Sequence, residues 1–169
     1  MPPSPLLTPL AAAVLHVGDP ERILQIECGD GEGAMFLARE FPSARVRGID
    51  SSSEAARKAA GRIGLDPEGR VAFKQGRPRS LPFPADHFDL LAAVDARLVA
   101  AEAARVLRPG AFLVLASTRA TAAPPGWRGR LLCRRLERHG LESIWSEASG
   151  EGSYAVLRLR GGRGPGLAL

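Results

Sequence analysis

Cysteine, lysine and long apolar runs are all scarce in this chain, and each scarcity narrows what the protein can be. Cys28 and Cys133 are the only cysteines, too few and too far apart for a disulfide framework or for a zinc site with ligand-like spacing. A reducing, cytoplasmic setting is therefore expected. No apolar stretch approaches the roughly 20 residues that cross a bilayer. The start, Met1-Pro2-Pro3-Ser4-Pro5, lacks the basic residues of a secretory leader, so no membrane partner is expected. Lysine is confined to Lys58 and Lys74, which leaves 21 of the 23 basic residues as arginine. These arginines are scattered and accompany 27 alanines. The net charge of +5 therefore reads as compositional bias and argues against a dedicated nucleic-acid surface.

What is present suits one soluble domain. The 169 residues, 45% hydrophobic and 24% charged, are enough for a single core and too few for a second domain of independent size. Short apolar runs alternate with helical patterns, the signature of a parallel sheet with helices on both faces. The expected strands are 22–27, 45–50, 71–74, 88–94 and 111–116, followed by 141–147 and 154–160 as a hairpin. Helices are expected at 34–41, 51–64, 98–107 and 127–139. Residues 1–20 read as an arm with a short helix, 21–160 as the domain and 161–169 as a glycine-rich, flexible tail.

The segment with chemical content is Glu27-Cys28-Gly29-Asp30-Gly31-Glu32-Gly33, between a strand and a helix. Glycines there allow a sharp turn and close approach of a ligand, and the following helix start presents unpaired N–H groups. Asp50 ends the second strand, where a carboxylate can accept hydrogen bonds from both hydroxyls of a ribose. A nicotinamide dinucleotide turn would place its third glycine one position later than Gly33, where this chain has Ala34. That spacing disfavours an oxidoreductase. An acid at Glu27 suits a ligand that carries an ammonium and no pyrophosphate.

These residues resemble the class I S-adenosylmethionine-dependent methyltransferases. Glu27 to Gly33 is similar to their E/D-x-G-x-G-x-G turn, and Val46 to Asp50 to their second-strand signature. Leu81-Pro82-Phe83-Pro84-Ala85-Asp86-His87-Phe88-Asp89 and Arg105-Val106-Leu107-Arg108-Pro109-Gly110 resemble two segments of the small "type 11" branch. The resemblance implies a Rossmann-like α/β fold, a seven-stranded sheet of order 3-2-1-4-5-7-6 with an antiparallel last strand, and S-adenosyl-L-methionine as cofactor. It implies a cofactor site built from Glu27, Gly29, Asp30, Gly31, Gly33, Asp50, Ser51, Arg77 and Leu81. Within it, Glu27 would take the methionine end, Asp50 the ribose, and Leu81 or Phe83 the apolar face of adenine. The partner it implies is a small-molecule methyl acceptor.

Two departures bear on activity. Gly76-Arg77-Pro78 replaces the usual G-D-A after the third strand. Arg77 offers no acceptor and Pro78 no N–H donor to adenine, a loss of up to two hydrogen bonds of about 0.5–1.5 kcal/mol each. The connection after the fourth strand is short, leaving Asp95 as the candidate catalytic carboxylate, with a loop-capping role as the plainer alternative. Little chain precedes the first strand, so a protein partner or a second copy is expected to complete the pocket, and a catalytically degenerate scaffold is the rival reading. No metal is expected. Cys28, Cys133, His16, His87 and His139 read as structural, Arg128, Arg130, Arg134, Arg135 and Arg138 as a solvated basic helix face, and Trp127 as a candidate pocket residue.

Overall fold

The computed structural model describes residues 4, 7–119 and 127–161, with side chains from 131 onward in the last segment. The expected tail at 162–169, the loop at 120–126 and the side chains of Trp127, Arg128 and Arg130 lie outside the described residues.

The strands are β1 (Arg22–Ile26), β2 (Arg45–Asp50), β3 (Val71–Gln75), β4 (Phe88–Val94), β5 (Leu107–Ser117), β6 (Leu141–Ser149) and β7 (Gly152–Leu159), and the helices are α1 (Thr8–Ala13), α2 (Glu32–Glu40), α3 (Ser53–Gly61), α4 (Ala100–Val106) and α5 (Trp127–Arg138). They form one seven-stranded sheet of order β3-β2-β1-β4-β5-β7-β6. The pairs from β3 to β5 are parallel, and β7 runs antiparallel to both β5 and β6. This is the expected topology.

Alternation along β1 explains the layering. Ile23 faces a cluster with Leu10, Leu37, Val46, Leu90 and Val114. Leu24 and Ile26 face the other side, with Ile49, Leu91, Val106, Leu113 and Leu136. Side chains on a strand alternate between faces, so a central strand buried on both sides needs aliphatics at successive positions. On the first face α1 lies against β5 and β7. Beyond it His16 stacks on Trp145 at 4.5 Å between ring centroids and its Nε2 lies 3.0 Å from the Tyr154 hydroxyl. That hydroxyl donates to Glu147 at 3.1 Å.

The second pair of sequence motifs is a lock between two segments. Arg105 donates to the carbonyls of Phe83 and Leu81 and to Glu102. The Leu81 N–H donates to the same Glu102 carboxylate at 2.8 Å. Arg105 holds the Glu102 carboxyl below the usual carboxylate range. Asp89 accepts from Arg108 at 3.1 Å and from the backbone N–H groups of Glu21 and Arg22. The conspicuous residues of both segments thus hold loop to helix and strand to strand.

Several boundaries differ from expectation. Pro109-Gly110 does not precede the fifth strand but lies inside it, because the chain turns extended at Leu107 (ψ 139°) and pairs at once with Phe88. The third helix stops at Gly61, and the hairpin strands extend to Ser149 and start at Gly152. A cavity-forming change at the centre, Leu91→Ala, is expected to cost about 3 kcal/mol by urea denaturation, since Leu91 is fully buried.

Candidate functional site

At the carboxyl edge of the sheet, β1 and β4 diverge into helices on opposite sides, the place where doubly wound sheets bind ligands. The turn after β1 is shaped by left-handed backbone at Glu27 (φ 48°), Gly29 (φ 54°) and Gly31 (φ 86°). At Gly31 a Cβ would lie 2.8 Å from the Phe73 ring and 3.0 Å from Ala59, so only glycine fits. At Gly29 nothing lies within 4 Å of a Cβ position, and that side of the turn is open. Gly33 packs on the Gln25 carboxamide, which a side chain here would have to displace.

Asp50, at the tip of β2, organises the turn. Its Oδ2 accepts from the Gly29 N–H at 2.9 Å and its Oδ1 from the Ser52 N–H at 2.9 Å. Only 8% of the residue is exposed. Next to it the Ser51 hydroxyl donates to Glu27 Oε1, and the Ser51 carbonyl accepts from Gln75 Nε2 at 3.1 Å. The Gly76 N–H donates to the Asp50 carbonyl at 2.9 Å. Glu27, Gly29, Asp50 and Ser51 are thus brought together.

The other expected site residues are engaged in different ways. The Asp30 carboxylate pairs with Arg62 at 2.6 Å, tying the turn to the end of α3. Leu81 is 5% exposed and packed with Ile49 and Leu91. Its side chain belongs to the core. Phe83, the alternative, stands edge-on to Phe88 with the Lys74 ammonium 4.4 Å over its ring. Arg77 is exposed, in a tight turn closed by the Ser80 N–H on its carbonyl at 3.0 Å. Asp95, in left-handed backbone (φ 49°), accepts from both the N–H and the hydroxyl of Thr118, so it joins the tips of β4 and β5. This is the loop-capping role.

Two residues of this edge escape a motif search. Gln25 is 4% exposed, and its Oε1 has no partner among the described residues. The signal was a polar residue among aliphatics in Arg22-Ile23-Leu24-Gln25-Ile26. Gln75, which steadies Ser51, carries no such signal.

A hollow of about 440 Å³ opens at the opposite edge of the sheet, lined among others by Glu21, Asp89, Arg108, Phe112 and Arg158. Within it Asp89 pairs with Arg108, and Arg158 donates to the Gly110 carbonyl at 3.2 Å. Among the described residues no group of His, Cys, Asp and Glu is arranged to hold a metal.

Cys28 is buried, and its thiol is pushed up to about 12 by burial first and the Asp50 charge second. Well below pH 9 the thiol is neutral whether the chain is folded or not. Above pH 9 the unfolded chain releases a proton that the folded chain keeps, so stability falls as pH rises toward 12. Relative to a Cys28→Ala variant, the parent is expected to lose about 1.4 kcal/mol between pH 8 and pH 10, read by denaturant titration at each pH.

Residues 23–110 match the methyltransferase domain family. The chain is 33% identical over 118 residues to the fatty-acid O-methyltransferase of Mycolicibacterium smegmatis, an alignment covering 66% of this chain and 42% of that protein. It thus spans less than half of that relative's length. Its fold superposes on an S-adenosylmethionine-dependent methyltransferase from Aquifex aeolicus with a TM-score of 0.76 at 16% identity, covering 94% of each chain. It is also similar to a chain in the complex between the Haloferax volcanii Trm112 methyltransferase activator and a methyltransferase. That likeness has a TM-score of 0.74 and 14% identity, over 91% of this chain and 90% of that one.

Proposed function

Because the chain belongs to the class I S-adenosylmethionine-dependent methyltransferase family, we propose that its carboxyl-edge cleft binds S-adenosyl-L-methionine and that the domain methylates a small-molecule acceptor. The observation that carries this reading is the Asp50 clamp. One carboxylate organises the glycine turn while keeping acceptor capacity for a ligand. A carboxylate offers about four lone-pair sites; the Gly29 and Ser52 N–H groups use two. The remainder suit two ribose hydroxyls. The open side of Gly29 also fits a ligand laid along the turn.

When bound, the cofactor supplies a methyl group on a positively charged sulfur. The chain's own contribution is positioning, which accounts for much of the rate in such transfers. Asp50 orients the nucleoside, and the Gly29–Gly33 turn sets how closely it lies on the backbone. Asp95, the carboxylate expected from the sequence to act as base, is not free. Asp95 is engaged with Thr118, His87 precedes β4 at the opposite edge, His139 precedes β6, and His16 stacks on Trp145. An acceptor that arrives already anionic suits such an edge. The relative named for O-methylation of fatty acids is in keeping with that choice.

A second reading has support from the exposed Arg77-Pro78 turn and the engagement of Asp95: a domain that binds cofactor but needs a partner to turn over. The similarity to a chain from an activator complex is in keeping with it. Calorimetric titration separates the readings. S-adenosylmethionine and S-adenosylhomocysteine are expected to bind in the micromolar range and NAD not at all. Release of S-adenosylhomocysteine with a panel of carboxylic acids supports the enzyme, and binding without release supports the partner-dependent domain. Silence toward both sulfur nucleosides contradicts both readings.

Asp50→Ala is expected to weaken S-adenosylhomocysteine at least tenfold, about 1.4 kcal/mol. A parallel melting curve separates lost contact from lost fold. Arg77→Asp restores an acceptor beside adenine and is expected to tighten binding; unchanged affinity would place position 77 away from the base.

A further inference from the structure

We propose that the outward stripe of α5 is a docking surface for an anionic lipid layer, which the domain meets from outside and does not cross. The proposal uses no residue of the cofactor cleft and stands independently of that reading. Leu131, Arg134, Arg135 and Arg138 are all exposed, and positions i, i+3, i+4 and i+7 share one side of a helix. The opposite side carries Leu132 and Leu136, packed with Leu141 and Leu157. The helix is therefore seated on the sheet by its apolar side and turns its charge to solvent.

That charge is concentrated. The twelve residues of α5 hold Arg128, Arg130, Arg134, Arg135 and Arg138 against one acid, Glu137, so most of the chain's net charge of +5 resides in this one element. Among the described residues, Arg134, Arg135 and Arg138 take part in none of the ion pairs. Cations in a last turn complement the helix dipole, which accounts for Arg135 and Arg138. Arg128 and Arg130 fall in the first four positions, where a cation opposes that dipole and no acid offsets it. Arg134 and Arg138 are four residues apart and Arg135 and Arg138 three, spacings at which like charges repel. The fold thus carries a positive field that its own residues leave uncompensated and that an anionic partner relieves.

Leu131 decides between anionic partners. It is 53% exposed and stands on the same stripe as the arginines, with Trp127 four positions before it. Nucleic acid is held through its phosphates and gains nothing from a leucine presented among arginines. A lipid layer takes both: the guanidinium groups reach the headgroup phosphates while their stems and the leucine lie along the apolar boundary.

Co-sedimentation of the full chain with vesicles tests the surface, one set of equal parts phosphatidylcholine and phosphatidylglycerol, the other of phosphatidylcholine alone. Salt is raised from about 0.1 M to about 1 M, which shortens the screening length from about 10 Å to about 3 Å. The chain is expected to sediment with the anionic vesicles at the lower salt, to be released at the higher, and to leave the neutral vesicles unbound. Arg134→Gln, Arg135→Gln and Arg138→Gln combined are expected to lower the bound fraction at least fivefold with the melting temperature kept. Arg39→Gln, Arg45→Gln and Arg57→Gln combined remove the same charge from exposed positions of α2, β2 and α3 and are expected to lower it less than twofold. Leu131→Gln keeps every charge and is expected to lower it at least threefold. A parent that ignores anionic vesicles, binds neutral ones equally or loses as much in both triple variants overturns the docking surface. Parental binding in Leu131→Gln overturns the lipid assignment in favour of a polyanion such as nucleic acid.

Discussion

The bond from the Gly29 N–H to the Asp50 carboxylate, 2.9 Å long, is the constraint around which the carboxyl edge is built. It joins the turn after β1 to the tip of β2, so the two loops at this edge are held in one arrangement. The residue before Gly29 is tied to the same strand, since the Cys28 N–H donates to the Ile49 carbonyl at 2.9 Å. With the turn fixed in this way, close packing does the rest. Gly31 lies against Phe73 and Gly33 against Gln25, which seats the start of α2 tightly on the sheet. A buried carboxylate is costly unless its oxygens are hydrogen-bonded, and here two backbone N–H groups meet that requirement.

The rest of the fold supports this edge from a distance. Aliphatics on both faces of β1 fix it between β2 and β4, so its turn emerges at the point where the sheet order reverses. Arg105 and Glu102 hold the loop between β3 and β4 against α4, and Arg108 with Asp89 joins the starts of β4 and β5. These are the residues that make the corresponding sequence segments conspicuous, and their work is structural. Sequence prominence and proximity to the cleft are separate properties in this chain.

The topology was legible because the patterns that specify it are long: apolar runs at regular spacing, a glycine turn after the first and an acid after the second. The meeting of Glu27, Gly29, Asp50 and Ser51 was legible for the same reason, since strand ends of a parallel sheet share an edge. Orientation of side chains was not. Asp30 turns to Arg62, a partner 32 residues away that no local pattern announces. Leu81 lies in an apolar segment that reads equally well as a pocket wall and as core, and packing with Ile49 and Leu91 decided for core. Glu27 looked like a strand-end acid; its left-handed backbone places it in the turn itself. Gln25, one of the most buried polar groups, was hidden because a single polar letter among aliphatics does not tell which face it occupies.

The most direct test of the account is an amide chemical-shift titration of the isotope-labelled chain with S-adenosylhomocysteine. Binding at the Asp50 clamp predicts the largest shifts at the N–H groups of Gly29, Gly31, Gly33 and Ser52, with Gly110 at the opposite edge unmoved. Shifts centred on Gly110 and Arg158, or none at all at saturating ligand, would contradict it.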